Sequence, residues 1–347
     1  MAVPVRGINY DTGCEVVAGR LSRPVFDLNE VEGELAEIAN QLHCTAVRIT
    51  GNDIRRLEAA ARCATEHGLE VWLSPASHDQ TREGSLILLE RTADLAESLR
   101  GGGHQVVLVV GWESTAFLRG MVSGRSTFDR LGTLASIPRL LASTARHGSF
   151  NARLNDYLAR AIDVARGSFR GRLTYASGMW EQIDWRPFDI VGADSYRDAF
   201  NAASFSNSIS TYASHGKPFA ALEFGCCTHR GAAQRGSRGW MVADPMRRRV
   251  RAGVVRDELE QANYLDDLYR RLERAGAYAT FPFTYASYNY PTLLDGPDLD
   301  VGAYGIVRLI ETTADTSGTV EIRREPKLAY QRLQGIYSGA AGEPTRE

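Results

Sequence analysis

The chain has 347 residues, with 40 Lys+Arg against 42 Asp+Glu for a net charge of −2, and 44% hydrophobic residues. These are ordinary values for a globular protein, so disordered, fibrous and membrane classes are excluded. The near-neutral balance also argues against a nucleic-acid binder.

Only Lys217 and Lys327 are lysines, an arginine bias that reads as codon usage rather than as a binding signal. The five cysteines form no Cys-x-x-Cys pair and are odd in number. Neither a zinc-finger spacing nor a complete disulfide framework is present, and a reducing compartment fits best. The start of the chain has no charged leader followed by a long apolar run. No stretch approaches ~18 apolar residues. The expected location is cytoplasmic, with no membrane contact.

In chain order, short apolar runs alternate with segments of helical period. Residues 3–10 read as a first strand, and 29–42 as a helix with Val31, Leu35, Ile38 and Leu42 on one face. A strand at 46–50 precedes a helix at 53–67, which Gly68 closes. Strand 69–75 and helix 84–99 follow, then the most β-rich run, 105–110. Residues 113–171 read as a loop followed by a helix at 151–166. Strands are expected at 172–176, 189–193, 219–224 and 278–284, and helices at 256–275 and 326–337. Residues 228–250, rich in Gly and Arg, read as a long exposed loop.

Eight strands interleaved with helices demand parallel crossovers. The count and the length favour an α/β fold of the (β/α)8 TIM-barrel type over an open doubly wound sheet. No Gly-x-Gly-x-x-Gly follows the first strand. No Pro- or Ser-rich linker divides the chain. The expectation is therefore one domain over residues 1–347, with long loops at about 114–150 and 228–250.

Barrels place chemistry at the C-terminal ends of their strands. That rule selects Asn9 and Tyr10 after strand one, Arg48 on strand two, His78 after strand three, and Trp112 with Glu113 after strand four. It adds Trp180 and Glu181 after strand five, Asp194 and Tyr196 at strand six, Glu223 at strand seven, and Phe281 and Tyr285 at strand eight. The seven histidines are scattered, and no nucleophile elbow or phosphate loop is present. No metal and no cofactor is expected. Two strand-end glutamates among aromatic faces suit glycosidic-bond chemistry: one acid protonates the leaving oxygen, and one carboxylate attacks or stabilises the oxocarbenium ion.

Several segments carry a family resemblance. They are Gly7-Ile8-Asn9-Tyr10, Val47-Arg48-Ile49, Asp189-Ile190-Val191-Gly192 with Tyr196, and Lys217-Pro218 through Leu222-Glu223-Phe224-Gly225. Glu260-Gln261-Ala262-Asn263-Tyr264-Leu265 and Lys327-Leu328-Ala329-Tyr330 extend it over nearly the whole chain. In order and spacing the chain resembles the clan of retaining glycoside hydrolases built on (β/α)8 barrels, which includes cellulase-, mannanase- and β-galactosidase-like enzymes.

The resemblance implies Glu113 as acid/base and Glu223 as nucleophile. The remaining residues selected above would contact a small-molecule substrate. Glu181 is the alternative proton donor, and Arg48 reads as a clamp that keeps Glu223 ionised before it reads as a substrate contact. Two departures stand out. Trp112 occupies the place of an Asn that holds the sugar 2-hydroxyl, and Phe281, Phe283 and Tyr285 replace a strand-eight Trp.

The implied function is a glycoside hydrolase-like enzyme acting on a small glycoside or a glycosylated or hydrophobic metabolite. Two alternatives stay open: a biosynthetic barrel using the same acid for a cyclisation or rearrangement, and a non-catalytic glycosidase-like binding protein. Residues 228–250 are expected to form a mobile cover with Trp240 at its tip. Oligomeric state is not legible.

Overall fold

The computed structural model describes residues 2–17, 19–312 and 321–339. Strand β1 runs as Val5–Arg6, breaks at Gly7, and resumes as Asn9–Gly13. The other barrel strands are β2 (Ala46–Gly51), β3 (Glu70–Pro75), β4 (Val106–Trp112), β5 (Arg172–Gly178), β6 (Val191–Asp194), β7 (Phe219–Phe224) and β8 (Ala279–Pro282). Neighbours pair in parallel in this order.

The two halves of β1 close the ring. Val5 lies opposite Ala279 of β8, while Asn9 lies opposite Arg48 of β2. The expected eight-stranded barrel is therefore present, and all eight strands lie within a few residues of their predicted places.

Helices α1 (Leu28–Asn40), α2 (Ile54–Glu66) and α3 (Arg82–Gly101) begin on the side-chain caps Asp27, Asp53 and Thr81, each accepting from the first free backbone N–H groups. The connection after β4 was read as a loop up to residue 150. It instead holds α4 (Ser114–Phe117), α5 (Thr127–Leu134) and α6 (Ile137–His147) ahead of α7 (Phe150–Ser168). A Ser126–Asp129 capping box starts α5. Helix α8 (Phe205–Ala213), absent from the sequence reading, joins β6 to β7.

Residues 228–250 are not a structureless cover. They form α9 (Ala232–Arg235), a 3-10 turn Gly236–Val242, and a ribbon of Ala243–Asp244 with Arg249–Val250. Trp240 is no free tip. Its ring lies 5.8 Å from Phe128 of α5, and the Tyr304 hydroxyl donates to the Gly236 carbonyl at 2.9 Å. The long β4 and β7 connections thus meet through an aromatic pair.

Helix α10 (Glu258–Arg274) packs beside α11 (Leu328–Tyr337). Before α11, a strand Ile322–Pro326 pairs with Val307–Glu311, so Lys327 rather than Pro326 stands at the helix start.

Two apolar layers hold the barrel. The larger lies between strands and helices, and the smaller fills the interior with Val5, Ala46, Trp72, Val107, Val109, Ala176, Leu222 and Phe281. Trp72 and Phe281 plug this interior with ring centroids 4.8 Å apart. Removing such an aromatic costs about 3–5 kcal/mol. The break in β1 serves this plug, because a Cβ on Gly7 would lie 2.2 Å from the Phe281 ring. Among the described residues, no helix is long and apolar enough to cross a membrane.

Candidate active site

Glu223 is the best-supported side chain at the barrel mouth. It ends the otherwise apolar β7, and its carboxylate is nearly buried. Arg48 Nη1 donates to Oε1 at 2.9 Å, and the Tyr196 hydroxyl donates to Oε2 at 3.0 Å. Arg48 is wholly buried and fully used. Nη1 also reaches Asn9 Oδ1 and the Leu222 carbonyl, while Nε and Nη2 donate to Ser74 Oγ.

Asn9 Nδ2 in turn donates to the carbonyls of Leu222, Phe281 and Pro282. Asn9, selected as a substrate contact, instead lies beneath Glu223 with Arg48, the expected clamp, and the two fix it from strands β1 and β2. Taking one partner from a buried ion pair of this kind costs about 3–5 kcal/mol.

Glu113 faces a different environment. It follows β4 in the left-handed region, at φ 36° and ψ 42°, which turns its side chain off the strand. Among the described residues nothing hydrogen-bonds its carboxyl. Burial, then the charges of Glu223 and Glu181, push it well above the usual carboxylate range. Burial also raises Glu223, but Arg48 and the Tyr196 hydroxyl pull it back. Of the two, only Glu223 has donors that favour its ionised form. Environments that separate two carboxyls in this way set acid and base roles apart.

Glu181 is fully engaged as an acceptor. Oε1 accepts from Thr115 N at 3.1 Å and Thr115 Oγ1 at 2.6 Å; Oε2 accepts from the Tyr175 hydroxyl at 2.9 Å and Gly178 N at 3.1 Å. Burial holds it up at about 7 against these donors. With both oxygens occupied, it anchors the turn carrying Glu113. Trp180 lies at the exposed rim, its indole N–H donating to Thr115 Oγ1 at 2.9 Å.

Asp194, opposite Glu223 in the β6–β7 ladder, is buried with both carboxyl oxygens unpartnered among the described residues. Burial and Glu223 raise it well above its ordinary value. His78 is buried between Trp112 and Phe117, edge-on to each at 4.7 Å, and burial lowers it to about 4. It is a neutral packing residue behind Trp112. Trp112 itself is half-buried and lies against Phe117 at 4.6 Å.

Three expected contacts point elsewhere. Tyr10 faces outward, because strand alternation sets it opposite Asn9. Its hydroxyl donates to Glu34 Oε2 of α1 at 2.5 Å and accepts from Arg23. Tyr285 packs in the same outer layer, 6.2 Å from Tyr10. Phe281 is inward but one layer too deep, in the interior plug.

Two aromatics outside the predicted contact set continue in a row from Tyr196. Tyr304 is 5.9 Å from Tyr196, and Phe283 is 5.6 Å from Tyr304. Phe283 was visible as a strand-eight aromatic with the parity of Phe281. Tyr304 comes from the long segment after β8 and carried no sequence signal.

No protein-family model matches the chain, and no curated protein matches it in sequence. Solved structures do match in fold. A GH113 β-1,4-mannanase aligns with TM-score 0.61 and 13% identity over 97% of this chain and 99% of its own. The GH113 β-mannanase AaManA from Alicyclobacillus acidocaldarius gives 0.59 and 14% over 98% and 99%. Cel5A of Thermotoga maritima gives 0.52 and 14% over 87% and 97%. The chain therefore carries the (β/α)8 barrel fold of these glycoside hydrolases.

Proposed function

We propose that this chain is a glycoside hydrolase-like enzyme with a retaining, two-carboxylate mechanism. The observation that carries the reading is the contrast at the mouth between a Glu223 clamped by Arg48 and Tyr196 and a Glu113 whose carboxyl has no hydrogen-bond partner among the described residues. Glu223 attacks the anomeric carbon as Glu113 protonates the departing oxygen, leaving a glycosyl ester on Glu223. Glu113, now ionised, takes a proton from water, which attacks the same carbon and releases Glu223. Arg48 and Tyr196 keep the nucleophile charged and aimed.

Trp112 supports a hydroxyl-poor substrate, such as a deoxy sugar or an apolar aglycone-like core. An indole offers one N–H and no acceptor where an Asn would offer both. The same feature supports a second reading, in which this acid pair drives a non-hydrolytic cyclisation or rearrangement.

The test is a panel of aryl glycosides and their 2-deoxy counterparts, run with wild type and Glu223→Gln. Turnover of the 2-deoxy set, lost in Glu223→Gln at unchanged melting temperature, supports the hydrolase. An active Glu223→Gln enzyme ends the nucleophile assignment.

A further inference from the structure

The helical layer holds a cluster that no part of the active site uses. Cys63 in the last turn of α2 and His67, its C-cap residue, are four residues apart, so they lie on one side of the helix end. Glu32 of the adjacent α1 reaches both: Cys63 Sγ lies 2.8 Å from Oε2, and His67 Nε2 lies 2.8 Å from Oε1. One ligand atom from each residue falls within 4.8 Å of the others.

No arginine or lysine pairs with Glu32 among the described residues, although the chain holds 40 basic residues. Glu32 is exposed and His67 is about one-fifth exposed, so a further coordination position is open to water. Helix α2 runs down to the start of β3, which puts His67 at the N-terminal face of the barrel, away from the mouth.

We infer that Glu32, Cys63 and His67 form a binding site for a borderline divalent metal ion of the zinc class. A thiolate, an imidazole and a carboxylate within one small volume are a zinc or cobalt ligand set; magnesium and calcium would want oxygen alone. The ion joins α1 to α2 and stands apart from the glycosidase reading, which uses none of these residues. The sequence reading expected no metal cluster because its histidines are scattered. Packing of α1 on α2 supplies the third ligand that spacing alone does not reveal.

Coordination has a proton cost. Burial and the charges of Glu32 and Glu66 push the Cys63 thiol up to about 12, so a bound ion must displace its proton to solvent.

The test titrates chelator-stripped, full-length protein with Co2+, then with Zn2+. One equivalent of Co2+ should bring up a thiolate-to-cobalt charge-transfer band, which one equivalent of Zn2+ abolishes. Melting temperature should rise with either metal. The band should vanish in Cys63→Ser. Zinc affinity, measured against a chromophoric chelator, should fall at least ~10-fold in His67→Ala and in Glu32→Gln, since even outer-shell losses cost that much. His67 and Glu32 are surface residues, so metal-free melting of these two variants should match wild type. No charge-transfer band, a band that survives Cys63→Ser, or equal zinc affinity in His67→Ala would overturn the site.

Discussion

Tyr196→Phe isolates one contact to the proposed nucleophile. The change deletes a hydroxyl 3.0 Å from Glu223 Oε2, while Arg48 still holds Oε1 at 2.9 Å and the ring keeps its place near Tyr304. A hydrogen bond to a charged group contributes about 1.5–3 kcal/mol, and one pKa unit corresponds to about 1.4 kcal/mol. The hydroxyl donates to the ionised form, so its loss raises Glu223 further, by roughly one to two units.

Titration of the glutamate side-chain carboxyls by 13C NMR, with Glu223→Gln to assign the signal, reads this shift without a substrate. In pH–rate profiles of an active substrate, the acidic limb of kcat/KM moves up by the same amount. The alkaline limb, where Glu113 loses its proton, stays put. An unmoved or lowered Glu223 titration in Tyr196→Phe would refute the clamp.

Three further outcomes follow from the packing. His78 stays neutral when folded down to about pH 4, against an ordinary value of 6.5. The unfolded chain therefore takes up a proton that the folded one refuses, and about 3 kcal/mol of stability is lost as pH falls through that window. His78→Phe should flatten this acid slope in denaturant melts at pH 7 and pH 4.5, and an unchanged slope contradicts the account. Trp112→Asn should raise turnover of fully hydroxylated aryl glycosides without improving the 2-deoxy set; a gain confined to the deoxy sugars counts against Trp112 as the selector. Gly7→Ala puts a methyl 2.2 Å from the Phe281 ring and should cost about 1–3 kcal/mol by thermal melting. Wild-type stability in that variant would mean that the plug is loose.

The barrel was legible because each layer of signal agreed. Apolar runs marked the strands, Asp53 and Gly68 bounded the second helix, and the strand-end rule put Glu113 and Glu223 among the residues of the mouth. Finer placement failed where it depended on depth or facing. Asn9 and Tyr10 are neighbours on opposite faces, and only the break at Gly7 and the closure onto β8 decide which one points in. Phe281 and Phe283 share parity but differ by one layer, which no sequence period encodes.

The hydrogen bonds of Arg48 and Glu181 are spent on protein partners, which for Arg48 come from other strands and for Glu181 from β5 and α4. The β4 connection was misread as a loop although Ser126 and Asp129 carry a capping box. Tyr304 and Glu32 act through contacts distant in sequence and had no local signal.

The central claim is a covalent intermediate on Glu223, and trapping it tests that claim most directly. Glu113→Gln removes the base for the second step. An activated aryl 2-deoxyglycoside, whose leaving group needs no proton, should still load the enzyme. Intact-mass spectrometry should then find one glycosyl unit accumulated per chain, and peptide mapping should place it on Glu223. No adduct during measurable turnover, or an adduct on any other residue, would contradict the account.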